Sequence, residues 1–224
     1  MHAAASPAIL PFRPALARTS LHPHGAVTPD LFDGLDAAND TAPDRPHANC
    51  YWVKPGVLMA GEYPGAADPL AAQRRLADIA ACGVRHFVDL TESHELASYR
   101  HLLPALSAGL DRPVAHERWA IRDVDVPHSA DYTRRILDRI DALIAVGAVP
   151  YVHCWGGVGR TGTIIGCWLV RHGATGEEAL STLANHWSTV AKRRRFPRSP
   201  ETDAQRRYVL DWARKMEKMG SDPI

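Results

Sequence analysis

The feature that most limits how this chain can fold is three unlike pieces in fixed order: VPYVH at residues 149 to 153, then CWGGVGRTG, then the apolar run TIIGCWLVR ending at Arg171. The first reads as a short buried strand and the last as a buried helix starting near Thr161. Between them, Gly156, Gly157 and Gly159 can take backbone angles that side chains forbid. Consecutive N–H groups of such a loop turn inward as an anion nest, and a helix opening near Arg160 adds the positive end of its dipole. Strand, glycine loop and helix together make a site where a phosphate can sit.

Two side chains give that site chemistry. Cys154 and Arg160 are separated by five residues. The helix N-terminus and the guanidinium both favour the ionised thiol, so the sequence predicts a Cys154 thiolate at neutral pH. Arg160 can reach around the loop and form two parallel hydrogen bonds to phosphate oxygens, a fork that lysine cannot reproduce. The segment Trp155, Gly156, Gly157, Val158, Gly159 and Arg160 then surrounds the equatorial oxygens of a phosphoryl group in transfer with fixed donors. The loop holds no proton for a departing alkoxide or phenoxide, so a separate acid is required. Asp123 and Asp125 are the candidates, in the polar loop RDVDVPHS that follows a strand-like run at residues 113 to 121.

The rest of the chain supplies a framework for one catalytic unit. Residues 1 to 45 are rich in Ala, Pro and His without apolar periodicity and read as a flexible arm; the domain proper spans 46 to 219, and 220 to 224 form a tail. Asp68-Pro69 should cap a helix running to about Cys82, with Leu70, Leu76, Ile79 and Ala80 at helical spacing and Gly83 as its left-handed stop. The strand VRHFVDL follows directly. Ser129 should cap a helix with the apolar stripe Ile136, Leu137, Ile140, Leu143 and Ile144, Thr175 and Glu178 have capping-box spacing, and Ser199-Pro200 should open a last helix. A net charge of +1 gives no reason to expect nucleic acid as a partner. No apolar run is long enough to span a bilayer, and the four scattered cysteines suit a reducing cytoplasm.

The residues resemble the protein tyrosine phosphatase superfamily, and within it the small dual-specificity members. HCWGGVGRTG and WAIRDVDVP carry the likeness, with weaker support from GEYPG and RSPETDAQRRYV, together spanning about residues 50 to 215. The resemblance implies an α/β fold in three layers, a central mostly parallel sheet flanked by helices on both faces, with the site at the end of the strand closing on His153. It implies a two-step hydrolysis through a phosphocysteine, with no cofactor. The family pattern of aromatic, any, apolar, any, Asp falls on Trp119 to Asp123 and selects Asp123 over Asp125 as the acid. By the same likeness His153 orients the loop and lowers the cysteine pKa, Thr161 assists breakdown of the intermediate, and Gln205 positions water. Phosphorylated protein leads phospholipid as substrate, because the loop contains no lysine whereas the family's phosphoinositide-specific members often carry basic residues there; small phosphorylated metabolites stay open.

Other readings of the same letters weigh less. Gly157, Gly159 and Gly162 spell G-x-G-x-x-G, but a dinucleotide site needs a parallel strand after the helix, and residues 174 to 190 read as a second helix. A P-loop NTPase is excluded because no Lys follows the glycines. A phosphate-binding module without catalysis would keep the nest but has no need of Cys154, Arg160 and a suitably spaced Asp together. The run Lys192 to Arg195 reads as the solvated end of a helix, the twelve histidines show no metal-ligand spacing, and Cys50, Cys82 and Cys167 read as packing residues.

Overall fold

The computed structural model describes residues 44–221. The arm expected over residues 1 to 45 lies outside the described residues except for Asp44 and Arg45, as do residues 222 to 224 of the tail. Five strands, β1 (Cys50–Lys54), β2 (Leu58–Gly61), β3 (Val84–Asp89), β4 (Ala115–Arg118) and β5 (Val149–His153), form one sheet in the order β1-β2-β5-β3-β4. Among the described residues, only the β1–β2 pair is antiparallel. Six α-helices accompany the sheet among the described residues: α1 (Pro69–Ala81), α2 (Leu103–Ser107), α3 (Ala130–Ala145), α4 (Gly159–Arg171), α5 (Gly176–Ser188) and α6 (Asp203–Ser221).

Strand alternation divides the core in two. Met59, Tyr151 and Phe87 lie side by side in register across β2, β5 and β3 and pack with Leu76 and Ile79 of α1 and Leu103 of α2. Their neighbours Ala60, Val152 and Val88 therefore point to the opposite face, where α4 crosses β2 and β5. Tyr51 of β1 faces the same way and stacks on His186 of α5. The fold is the expected α/β sandwich, with β5 at the middle of the sheet and its end, His153, buried.

Local signals account for most element boundaries. Asp68 caps α1 by accepting from the Ala71 N–H at 2.8 Å, and Gly83 follows at φ +91°. Ser129 caps α3, whose Ile136, Leu137, Ile140 and Leu143 are buried, and the capping box of Thr175 and Glu178 opens α5. Helix α4 is buried from Gly159 to Val170, as a helix apolar on all sides must be. A Cβ on Gly166 would stand 2.8 Å from Val209 of α6, so this glycine permits the two helices to approach closely.

Three expectations need correction, and one strand was not anticipated. Leu70, placed on the buried stripe of α1, is 63% exposed in the first turn of the helix. The run at 113 to 121 is a strand only over Ala115–Arg118, where β3 pairs with it. Strand β1 has no sequence signal because both its faces are covered, leaving no alternation to read. The last helix opens at Asp203, since the Ser199 hydroxyl instead donates to the Val158 carbonyl at 2.7 Å.

Two buried histidines make stability sensitive to mild acid. Burial pushes His153 and His186 down from 6.5 to about 4. Both stay neutral in the fold while the unfolded chain takes up protons below about pH 6.5, so stability is full above that pH and declines as pH falls toward 4. Between pH 6.5 and 5.5, where carboxylates remain ionised, the two together should cost about 2 kcal/mol. Urea denaturation at the two pH values checks this, and a constant midpoint would contradict it.

Candidate active site

The site lies where β5 gives way to α4. Its loop is set by backbone bonds from the neighbouring strand ends: the Leu90 N–H donates to the His153 carbonyl at 2.8 Å and the Tyr63 N–H to the Trp155 carbonyl at 3.0 Å. Gly157 takes φ +74°, and a Cβ there would stand 2.5 Å from the backbone of Gly61, so only glycine fits. A Cβ on Gly159 would meet the Gln205 amide at 2.8 Å. No side chain caps α4 at Val158, which leaves the N–H groups of its first turn for another acceptor.

Cys154 is 3% exposed and lines a cavity of about 520 Å³ together with Arg160, Asp123 and Gln205. Trp155, Val124 and Phe196 give this cavity apolar walls. The two candidate acids separate clearly. Asp123 places Oδ1 2.8 Å from Nη2 of Arg160, whereas the Asp125 carboxylate accepts from the Val126 N–H at 2.8 Å and is not among the lining residues. Between them Val124 adopts φ +60°, a left-handed conformation that a β-branched residue resists at a cost of about 1–3 kcal/mol, so strain is held beside Asp123.

Arg160 is buried and held from two sides. Its Nη1 and Nη2 donate to the two carboxylate oxygens of Glu95 at 2.6 and 2.8 Å, and Nη1 also donates to the Ile121 carbonyl at 2.9 Å. Burial works to raise the Glu95 pKa, but the Arg160 guanidinium and the Glu92 N–H outweigh it and hold the group below its ordinary value. Glu95 escaped the sequence reading: it stands in TESHEL, the loop after β3, and no spacing there marks it above Glu92.

Beneath the loop lies a polar network. The His153 Nδ1 lies 3.2 Å from the Cys154 carbonyl, which can only accept, so Nδ1 carries the proton and Nε2 accepts from the Tyr99 hydroxyl at 2.7 Å. Neutral at pH 7, His153 offers Cys154 a hydrogen-bonded frame through its Nδ1–H and the Cys154 carbonyl. Asp89, fully buried, accepts from Thr91, His116 and Arg118. Burial acts to raise its pKa, and His116, His153 and Thr91 together pull it below the usual carboxylate range.

Thr161 is fully buried and its hydroxyl has no hydrogen-bond partner among the described residues. Gln205, also fully buried, accepts from the Thr202 N–H at 3.1 Å and donates to the Asp125 carbonyl at 3.0 Å, linking α6 to the loop of Asp123. The basic run departs from its expected place. Helix α5 ends at Ser188, and Ala191–Arg194 form a short 3-10 turn that brings Lys192 and Arg195 to the cavity of Cys154. Lys192 pairs with Glu62 at 2.5 Å. Among the described residues, no three His, Cys, Asp or Glu side chains are grouped to hold a metal, and no helix is long and apolar enough to cross a membrane.

Comparison with solved structures shows the same fold. Tk-PTP in its active form is 23% identical, with a TM-score of 0.58 over 75% of this chain and 97% of that one. PTPMT1 in complex with PI(5)P is 17% identical, with a TM-score of 0.57 over 77% and 99%. TpbA of P. aeruginosa in complex with pTyr is 17% identical, with a TM-score of 0.55 over 80% and 95%. Residues 47–209 match the family model described as PTP-SAK, the Swiss Army Knife protein DSP-PTPase phosphatase domain. Since that match takes in the strand, the cysteine loop and every side chain around the cavity, the chain belongs to this dual-specificity branch of the protein tyrosine phosphatase superfamily.

Proposed function

We propose that this protein hydrolyses phosphate monoesters through a phosphocysteine intermediate. The observation that carries the reading is the convergence of Cys154, Arg160 and Asp123 on one cavity. The Cys154 thiolate attacks phosphorus and the bond to the leaving oxygen breaks, that oxygen taking its proton from Asp123. Water, deprotonated by the same Asp123 and positioned by Gln205, then attacks the phosphocysteine; phosphate leaves and the thiolate is restored. The unspent Thr161 hydroxyl is suited to donate to sulfur as it departs.

Arg160 has to divide its donors. Glu95 takes the edge of Nη1 and Nη2, so a phosphate takes the edge of Nε and Nη2 and displaces Asp123 from Nη2. Asp123 is thereby freed to face the leaving oxygen. Glu95 is thus a positioning residue. Glu95→Gln keeps the shape but loosens the guanidinium, and a misplacement of this kind is expected to lower kcat/KM by about 10²-fold. Weaker vanadate binding should accompany the loss; an unchanged vanadate Kd would assign Glu95 to folding alone.

Phosphotyrosine in proteins is the substrate class the walls support best, since Trp155, Val124 and Phe196 offer apolar surface for a phenyl ring. Phosphoserine and phosphothreonine fit the same chemistry. A phosphoinositide headgroup is the second reading, favoured by Lys192 and Arg195 at the cavity. Phosphate release from phosphotyrosyl and phosphoseryl peptides and inositol lipids, in chelator-containing buffer, tests both. The expected order puts phosphotyrosine first; no release from any monoester rejects the hydrolase.

A further inference from the structure

The turn Ala191–Arg194 and the residue after it divide their cations between two cavities. Lys192 and Arg195 face that of Cys154, whereas Arg193 and Arg194 line a separate cavity of about 330 Å³ together with Arg198, Arg206, Trp187 and Ser199. Among the described residues, no carboxylate lines this second cavity. Arg198 is paired with Asp203 at 2.8 Å, and among the described residues Arg193, Arg194 and Arg206 form no ion pair. Three uncompensated guanidiniums around one concavity repel each other, and an anion that bridges them relieves the repulsion.

The walls are fixed as a site requires. Trp187 is buried and its indole N–H donates to the Phe196 carbonyl at 2.7 Å. Ser199 is buried and donates to the Val158 carbonyl of the catalytic loop, so the two cavities share a wall. Arg206 follows Gln205 on α6, which lines the first cavity while Arg206 lines the second. Clustered guanidiniums, each presenting a planar fork of donors, match the oxygens of a phosphate group.

We infer that the Arg193, Arg194, Arg198 and Arg206 cavity binds a second phosphate group, distinct from the one hydrolysed at Cys154. That phosphate comes either from a second phosphorylated residue of the same substrate, which rests on the phosphoprotein reading above, or from free phosphate. Calorimetric titration of inorganic phosphate onto Cys154→Ser tests the site without any turnover. Two binding events are expected, falling to one when Arg193→Ala and Arg206→Ala are added; a single event in both proteins overturns the proposal. Kinetics on the otherwise wild-type protein then separate the sources. If the substrate supplies the second phosphate, a doubly phosphorylated peptide has about tenfold lower KM than its singly phosphorylated form, and the arginine pair of substitutions removes the difference. If free phosphate fills the site, the two peptides have equal KM and added phosphate alters kcat in the wild type but not in the arginine variant. Para-nitrophenyl phosphate turnover without added phosphate should be unaffected by the arginine substitutions, so failure of the hydrolase reading shows up separately.

Discussion

Cys154→Ser is expected to abolish turnover of para-nitrophenyl phosphate, a loss of roughly 10⁴- to 10⁶-fold, the scale that deletion of an enzyme nucleophile produces. The hydroxyl that replaces the thiol is slightly smaller and fits the 3% exposed position without disturbing the loop. It does not ionise at neutral pH, so the attack that forms the intermediate is lost while the surrounding donors stay in place. Gly157 remains wedged against Gly61, and Arg160 remains on Glu95. Vanadate affinity should therefore change by less than about tenfold, because nest and guanidinium supply most of it. Activity near wild type would reject the covalent route, and loss of vanadate binding would show that the thiolate itself organises the loop.

Legibility in the sequence followed how local the determining physics is. The strand, glycine loop and helix around Cys154 were readable because periodicity, glycine conformation and helix polarity all act within a few residues. The caps at Asp68, Ser129 and Thr175 were readable for the same reason. Glu95 was not, since its meaning comes from a guanidinium 65 positions later, delivered by the pairing of β3 with β5. Likewise a basic run after a helix looks solvated until the chain turns back, and here a 3-10 turn carries Lys192 and Arg195 to the cavity. Asp123 and Asp125 could not be separated by residue type or local spacing. The family pattern chose between them, and the structure adds that one carboxylate reaches Arg160 while the other closes on its own loop.

That difference makes Asp123→Asn a sharp test of the acid. With a poor leaving group such as an alkyl alcohol, loss of proton donation should lower kcat by about 10²- to 10⁴-fold. With para-nitrophenol, which departs readily as the anion, the fall should be much smaller, so the dependence of rate on leaving-group basicity steepens in the variant. Asp125→Asn retains an oxygen for the Val126 N–H and should stay within about threefold of wild type, because its carboxylate does not line the cavity. Binding should move opposite to catalysis. The amide that replaces the Asp123 carboxylate is uncharged and does not compete as an anion for Nη2 of Arg160, so inorganic phosphate is expected to bind at least as tightly to the Asp123→Asn protein as to wild type. An equal rate loss for every leaving group, together with weakened phosphate binding, would mean that position 123 only shapes the cavity and that the leaving oxygen is protonated from elsewhere.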